Sequence, residues 1–348
     1  MGGNVGSVGS TPVGGSQPSQ VDNNKPQQPA TTQKPAEPET QPIVKADAQT
    51  AADLKAEKGI EGTAKQAQIQ QTPNMPDTLD AAKKAGLKKA EVENLESHLK
   101  KMTPTEREQE LRFLNGNVLG QPCADRGLRT YIELQQLKAA NPSRLSGETV
   151  RTLTRGVAEP KANGSNGREG IMGQQQAVDA AKTMMRMPQG EFDRLKTTLS
   201  QAGQKDGKPI PGADPYAERA LILKSVAARD DELSSPNATD RYLQSVNKPG
   251  KSMEEIQKYA DDIRGTPRQK LIEQSTVLDV DGGNPNGMLQ RYHDSCGPTV
   301  SQMARAEADP IYAKKLHEEA VYSGDSNSNI AKEQKELLEG HGGKAVPV

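Results

Sequence analysis

Apolar residues recur at helical spacing along much of the chain, beginning near Asp77. Between residues 77 and 155 they follow steps of three to five residues, the period that places side chains on one face of an α-helix. The clearest series is Leu87, Val92, Leu95, Leu99 and Met102. This pattern predicts a first helical segment over 77–155, in which each helix buries one apolar face.

Residue types at the ends of the apolar series indicate where helices begin and end. Thr103, Pro104 and Glu106 fit a capping box, in which the Thr hydroxyl accepts a free backbone N–H and the Glu carboxylate reaches back to the cap. Three later helix starts carry similar signals: Asp214-Pro215, Ser252 with Glu255, and Thr266-Pro267 with Gln269. Glycines predict the helix ends at Asn115-Gly116, Gly203 and Gly265.

A second helical segment is predicted over 171–274, after a linker over 156–170 that is rich in Gly and Asn. Its helices are expected at about 172–187, 189–202, 215–229, 238–246, 253–264 and 267–274. A methionine cluster at 184, 185 and 187 falls at helical spacing, which favours core residues over a binding surface. We find no alternating strand and no fixed-period repeat, so the predicted fold class is mainly α, with a helical-bundle body.

The first 76 residues lack any apolar period. Pro, Gly and Gln make up 28 of them, and no aromatic residue precedes Phe113. Such a segment buries too little apolar surface to offset the entropy of ordering its backbone, so we predict a disordered leader over 1–76. It is interpreted as a flexible leader or linker. The alternative is a non-cleaved export signal of the kind that precedes bacterial effectors, because the first acidic residue is Asp22.

Charge argues against two classes of partner. Lys and Arg number 45 and Asp and Glu 46, a net charge of −1, so the chain lacks the basic surface of proteins that bind nucleic acid or anionic membranes. No run of about 18 apolar residues is present, and residues 1–21 lack the apolar core of a Sec signal peptide. We therefore expect no nucleic-acid and no membrane partner, and a bacterial protein that is cytoplasmic or exported without a Sec signal. The oligomeric state is left open.

Residues 275–289 interrupt the helical pattern with turn-forming residues, in a run from Asp279 to Gly287. Oxygen ligands at alternate positions around a glycine are typical of calcium loops, but this run lacks the terminal bidentate Glu of an EF-hand. Turn chemistry explains the Asp-Gly, Asn-Pro and Asn-Gly pairs without a metal. We expect no metal and no cofactor.

The stretch whose residues could carry out a reaction runs from Gln290 to Met303 and contains Cys296-Gly297-Pro298. A polar loop precedes Cys296 and a helical pattern follows it, which places the thiol at a helix N-terminus. The unpaired N–H groups and the positive dipole end there stabilise a thiolate, the nucleophilic form of cysteine. The Gln290 amide and the backbone N–H of Cys296 are two donors suited to an oxyanion hole.

This motif resembles the front of the catalytic domain in C39-like peptidases, which belong to the papain-like cysteine peptidases. Those proteins carry Gln, five residues and then Cys-Gly-Pro, as Gln290 and Cys296 do here, and Thr299 also fits. The resemblance spans about 20 residues and implies Cys296 as the nucleophile and Gln290 as the oxyanion donor. An Asp directly precedes the Cys in that family, whereas Ser295 does so here and Asp294 lies one place earlier.

A thiol peptidase also needs a histidine base. His341 follows a turn at Gly340, 45 residues after Cys296, and is the candidate that we retain, with a helix-end role as the alternative. His293 lies three residues before Cys296, a spacing that rarely gives the geometry of a base. His317 lies among Lys and Glu residues, which indicates a solvated helix face.

The residues after Cys296 predict helices at about 309–323 and 329–338, without a β-half. We therefore interpret 275–348 as a truncated C39-like segment, the helical half of a papain-like α+β domain that lacks its sheet, in a fragment or a truncated product. The predicted function is a thiol peptidase, or its remnant, that cleaves peptide or isopeptide bonds of a peptide or protein substrate. The alternative is a non-enzymatic helical effector or interaction protein. Cys123, at another helix start, is interpreted as structural.

Overall fold

The computed structural model describes residues 73–160, 170–229, 251–277, 288–319 and 327–348. Within these ranges it confirms the mainly α fold class. Residues 1–72 of the predicted leader, the predicted helix at 238–246 and the run at 279–287 lie outside the described residues. None of the helices in the described ranges is long and apolar enough to cross a bilayer.

The first helical segment forms where the apolar series predicts it. Its elements are α1 (Met75–Lys84), α2 (Lys89–Lys101), α3 (Pro104–Phe113), a π-helical turn (Leu114–Val118), α4 (Ala124–Ala140) and α5 (Gly147–Ala158). In α2 the predicted face is buried, with Val92, Leu95 and Leu99 directed inward. At the start of α3, the Thr103 hydroxyl accepts the Glu106 N–H at 3.3 Å and the Thr103 N–H donates to the Glu106 carboxylate at 3.0 Å. The predicted capping box is therefore confirmed.

The remaining elements follow the predicted order. They are α6 (Gln174–Arg186), α7 (Gln189–Ser200), β1 (Gln204–Lys205), β2 (Lys208–Pro209), α8 (Pro215–Ala227), α9 (Met253–Ile263), α10 (Arg268–Gln274), α11 (Cys296–Ala308), α12 (Pro310–Glu318) and α13 (Asn329–Gly340). The two strands, of two residues each, form an antiparallel hairpin that was not predicted from the sequence. Asp206 and Gly207 connect them with φ of 52° and 73°, which is the conformation of a tight two-residue turn.

The three later helix starts lie within one residue of their predicted positions, and two of them have the predicted side-chain cap. Asp214 accepts the N–H groups of the first turn of α8, at 3.0 Å each, and Ser252 forms a capping box with Glu255 at the start of α9. Helix α10 begins at Arg268, one residue from the predicted start, but Pro267 occupies its cap position and no side chain caps it. The Thr266 N–H instead bonds to the Ile263 carbonyl at 3.0 Å, in the turn that ends α9.

Two predicted helix ends also shift. The helical conformation does not end at Asn115-Gly116, because the π-helical turn continues through these residues to Val118. The Asn115 amide donates to the Thr78 hydroxyl at 2.8 Å, a tertiary bond that holds this turn against α1. Helix α5 runs to Ala158, three residues into the predicted linker.

One apolar core joins the two predicted helical segments. Its buried members include Leu95, Leu128, Leu153, Leu195 and Leu221. Met184 and Met187 belong to the same cluster, with 1% and 4% of their surface exposed, which confirms them as core residues, whereas Met185 is half-buried and lies outside the cluster. Full burial of one such side chain contributes about 1.5–3 kcal/mol. The residues of both segments thus fold around a common interior, which we call the body (described residues 73–277).

Glu218 of α8 is a buried carboxylate within the body. Its two oxygens accept the N–H groups of Gly203 and Gly265, both at 2.7 Å. These glycines have φ of 68° and 74°, which residues with a Cβ rarely adopt. The carboxylate therefore fixes the turns after α7 and α9 to α8. Burial raises the pKa of Glu218, against the opposing effect of the two N–H donors.

The Cys296 region (described residues 288–319 and 327–348) contains smaller apolar clusters. One cluster comprises Val277, Met288, Ala306, Tyr312, Ala313, Leu316 and Ile330, and the other comprises Tyr292, Ala331 and Leu338. An ion pair of 3.0 Å between Lys251 and Asp309 connects this region to the body. The Gln176 side-chain amide adds a second connection, since it donates to the Glu307 carbonyl at 3.1 Å.

Candidate functional site

Cys296 is the first residue of α11, and its side chain is exposed. The predicted helix start is confirmed. A Cβ built on the next residue, Gly297, would have no neighbouring atom within 4 Å, so the space beside the helix start is open. In the first turn Pro298 has no N–H, and the Thr299 N–H donates to the Ser295 carbonyl at 2.9 Å. The N–H groups of Cys296 and Gly297 are therefore the ones without a partner within α11.

Ser295 fixes the loop that enters α11. Its side chain is fully buried, and its hydroxyl donates to the Tyr292 carbonyl at 2.8 Å and accepts the Tyr292 N–H at 3.2 Å. Between them, Asp294 has a φ of 64°, a left-handed conformation that is uncommon for a residue other than glycine. The result is a tight turn that sets the direction of the chain at Cys296.

Gln334 of α13 holds the same loop from the other side. Its side chain is fully buried. The side-chain oxygen accepts the Arg291 N–H at 2.9 Å, and the amide nitrogen donates to the Leu289 carbonyl at 3.1 Å. The Ser295 hydroxyl lies 3.4 Å from the same oxygen. Because buried polar groups are costly without partners, these bonds define one arrangement of the loop against α13.

Gln290, the predicted oxyanion donor, is exposed, and its amide is directed to its own loop. The amide nitrogen donates to the Tyr292 carbonyl at 2.8 Å. Among the residues that the structure describes, no hydrogen bond joins Gln290 to Cys296. The amide nitrogen has a second N–H, which an oxyanion could accept. Catalytic hydrogen bonds commonly form only in the substrate complex, so this role stays a prediction.

His341, the predicted base, lies at the end of α13 and is exposed. Its Nδ1 lies 2.7 Å from the Leu337 carbonyl oxygen. A carbonyl only accepts hydrogen bonds, so Nδ1 carries a proton in this contact, which leaves Nε2 as the ring atom that can act as a base. Within the described part of the chain no hydrogen bond joins His341 to Cys296. His341 as the base therefore stays a prediction.

The other histidines and the second cysteine differ in their surroundings. His317 is half-buried, with Nε2 at 2.7 Å from the Thr276 carbonyl. The prediction of a solvated face is therefore wrong, because α12 packs against the segment that follows α10. His293 is exposed in the loop before Cys296. Cys123 is buried at the start of α4, as the structural interpretation expects.

A polar network connects the three helices of the Cys296 region. Glu333 of α13 forms an ion pair with Arg305 at 3.0 Å and accepts the Gln302 amide at 2.9 Å and the Tyr312 hydroxyl. The Arg305 guanidinium lies over the Tyr312 ring, 3.8 Å from its centroid. Burial, and then the Glu333 carboxylate, raise the pKa of Tyr312. These contacts fix α11 relative to α12 and α13.

Ser295 and Gln334 were not predicted from the sequence. Gln334 nevertheless carries a signal, because Ile330, Gln334 and Leu338 follow one another at four-residue steps and all three are buried. A polar residue in the middle of an apolar helical face indicates a buried hydrogen-bonding role. Ser295 carries no comparable signal, since its burial depends on how the loop packs.

No metal site is evident in the described ranges, where no three His, Cys, Asp or Glu side chains are grouped to hold an ion. The run at 279–287 lies outside those ranges. No protein-family model matches the chain, and neither a curated protein nor a solved structure does. The resemblance to C39-like peptidases therefore stays a prediction.

Proposed function

We propose that this chain transfers an acyl group from a peptide or isopeptide bond to Cys296, as a thiol peptidase does. The observation that carries the proposal is an exposed thiol on the first residue of a 13-residue helix. The loop that leads to it is fixed by the buried side chains of Ser295 and Gln334. A nucleophile held in one position loses little entropy when it reacts.

The proposed step begins with attack of the Cys296 thiolate on the carbonyl carbon. A sulfur–carbon bond forms, and the charge on the oxygen is stabilised by the Cys296 N–H and the Gln290 amide. The carbon–nitrogen bond then breaks, and the leaving amine takes the proton that His341 removed from the thiol. Water hydrolyses the thioester, which releases the acid and restores the thiol. In the described residues neither Gln290 nor His341 is hydrogen-bonded to Cys296, so the proposed contacts form in the substrate complex.

A second candidate function is a non-enzymatic helical interaction protein. The side chains of Gln290 and His341 favour it, because each bonds to a backbone carbonyl of its own segment, at Tyr292 and Leu337. In that case the Cys296 turn only begins a helix. The two functions differ in one testable property: a thiol peptidase is acylated at Cys296 with the help of Gln290 and His341, and an interaction protein is not.

Acylation of the full chain by p-nitrophenyl acetate tests the proposal. The release of p-nitrophenolate gives the rate, and mass spectrometry locates the acyl group. We expect acylation at Cys296 and its loss in Cys296→Ala. Gln290→Ala should lower the rate about 10²- to 10³-fold, the usual effect of removing one oxyanion donor. His341→Ala should lower the rate at neutral pH by about 10²-fold or more.

Matched controls separate assisted chemistry from simple thiol reactivity. Cys123→Ala removes the buried thiol, and His98→Ala removes a histidine of α2 that the mechanism does not use, so both should leave the rate unchanged. Acylation of Cys296 at the same rate in Gln290→Ala and His341→Ala would overturn the proposed roles and favour the interaction protein.

A further inference from the structure

Val346–Val348 lie as a short extended strand against the loop before Cys296. The His293 N–H donates to the Val346 carbonyl at 2.8 Å, and the Val348 N–H donates to the Arg291 carbonyl at 3.1 Å. Tyr292 and Pro347 oppose each other in this antiparallel bridge. Two bonds that flank a non-hydrogen-bonded pair are a repeating unit of an antiparallel ladder.

The loop side of this ladder is held in place by other bonds. The Gln334 side-chain oxygen accepts the Arg291 N–H. The Ser295 hydroxyl accepts the Tyr292 N–H and donates to the Tyr292 carbonyl. The Arg291 carbonyl and the His293 N–H remain as an acceptor and a donor, spaced as in a strand edge. This main-chain edge, Arg291–His293, is thus shaped by contacts independent of the strand that occupies it.

The occupying strand makes few contacts of its own. Val346 and Val348 are 45% and 76% exposed, and Ala345 is the partly buried residue that packs against the Tyr292 cluster. Pro347 has no N–H, and it lies at the position where the ladder requires none. The pairing therefore depends on the main chain of two residues and on one small side chain.

We infer that the Arg291–His293 edge binds an extended peptide by strand addition, and that Val346–Val348 is an internal occupant that competes for it. In strand addition the main chain supplies affinity and alternate side chains supply selectivity. The fitting peptide carries a small residue at the position of Ala345 and tolerates proline at that of Pro347. The inference rests on the proposed function, because it makes an extended polypeptide the substrate held beside Cys296.

The experiment uses an acetylated, amidated peptide with the sequence of residues 344–348, Lys-Ala-Val-Pro-Val. Binding is measured by the amide NMR signal of His293 in the full chain, in a Cys296→Ala background that excludes thiol chemistry. Val348→Pro removes the N–H that bonds to Arg291, so it frees the edge and should lower the Kd of the peptide at least tenfold. Val346→Pro is the matched control, because the Val346 N–H donates no hydrogen bond among the described residues. The Kd of the peptide for this variant should equal its Kd for the parent chain.

A peptide that is N-methylated at its last valine lacks the amide that pairs with Arg291, and it should not bind. Equal Kd values for Val348→Pro and Val346→Pro, or binding of the methylated peptide, would overturn the inference. So would binding that leaves the His293 signal unmoved. A chain that binds the peptide as expected, yet is not acylated at Cys296, would retain the edge and refute the proposed function.

Discussion

The body and the Cys296 region consist of similar short helices but are stabilised by different interactions. The body buries one apolar cluster with members from α1 to α10. The Cys296 region has two small apolar clusters, one of which includes Val277 of the body, and its Ile311 packs against the body's cluster. It also depends on hydrogen bonds of Gln334, Ser295 and Glu333. Apolar burial adds stability in proportion to area, whereas a hydrogen bond adds a small net amount. We therefore expect the body to be the more stable of the two.

This difference suits the roles that we propose. Hydrogen bonds are directional, so Ser295 and Gln334 define the path of the loop before Cys296 without a large core. A small core also leaves the strand Val346–Val348 free to exchange with a peptide, because regions with few apolar contacts open at low free-energy cost. The proposed roles require a fixed loop before Cys296 and a strand that a peptide can displace, and the Cys296 region combines the two.

The largest effect is expected from a cavity in the body. Leu128 of α4 is fully buried, and Leu128→Ala should lower the free energy of unfolding in urea by about 2–5 kcal/mol, because it removes apolar contacts and leaves a void. Ile330→Ala, in the small cluster, should instead increase amide hydrogen exchange in α11–α13 and leave α4 protected. An equal increase in α4 would contradict the comparison, since it would mean that both regions unfold as one unit.

The next largest effect is expected at the buried amide. Gln334→Leu leaves the Arg291 N–H and the Leu289 carbonyl without their partner, and it should lower the stability of the Cys296 region by about 1–3 kcal/mol. Hydrogen exchange of the Arg291 amide measures this effect. Glu336→Leu is the control on an exposed face of the same helix, with an expected change within about 0.5 kcal/mol. Similar losses in both variants would refute the role of Gln334.

A smaller effect distinguishes two Thr-Pro helix starts. Thr103 caps α3 with its hydroxyl, whereas Thr266 precedes α10 without a capping bond. Thr103→Ala should therefore lower the free energy of unfolding by about 0.5–2 kcal/mol, and Thr266→Ala should change it by less than about 0.5 kcal/mol. Urea denaturation of the two variants provides the measurement. A larger loss for Thr266→Ala would refute the capping assignment.

The smallest effect is a pH dependence that originates at Glu218. Burial raises its pKa above the ordinary 4.5, so the folded state holds a proton that the unfolded state has already released. The stability of the parent should accordingly fall relative to Glu218→Gln as the pH rises from 4.5 through the folded pKa, by at most about 1.4 kcal/mol per pH unit. Urea denaturation of both chains across this range measures the difference. A difference that does not vary with pH would contradict it.

Local chemistry made most of the fold predictable. The capping boxes at Thr103 and Ser252 pair residues three positions apart, so the sequence contains both partners side by side. The π-helical turn was not predictable, because Asn115 bonds to Thr78, 37 residues away. Glu218 has the same character, with amide partners 15 and 47 residues distant. Where tertiary partners decide the local conformation, residue patterns alone do not indicate it.

The candidate site divides in the same way. The helix start at Cys296 follows from the change of pattern after a polar loop, and the structure has it there. The orientation of the Gln290 amide towards Tyr292 depends on the loop conformation, and that conformation depends on the packing of α13. The position of His341 relative to the thiol is likewise set by tertiary structure, which spacing along the chain does not determine.

The central claim is that the fold makes Cys296 a reactive nucleophile, and iodoacetamide labelling tests it most directly. The labelling rates of both cysteines are compared at neutral pH in the folded chain and in the urea-unfolded chain, with mass spectrometry to separate the sites. We expect Cys296 to react about threefold or more faster when the chain is folded, because a helix N-terminus stabilises the thiolate. The buried Cys123 should react more slowly when folded. A rate for Cys296 that is equal or lower in the folded chain would contradict the claim.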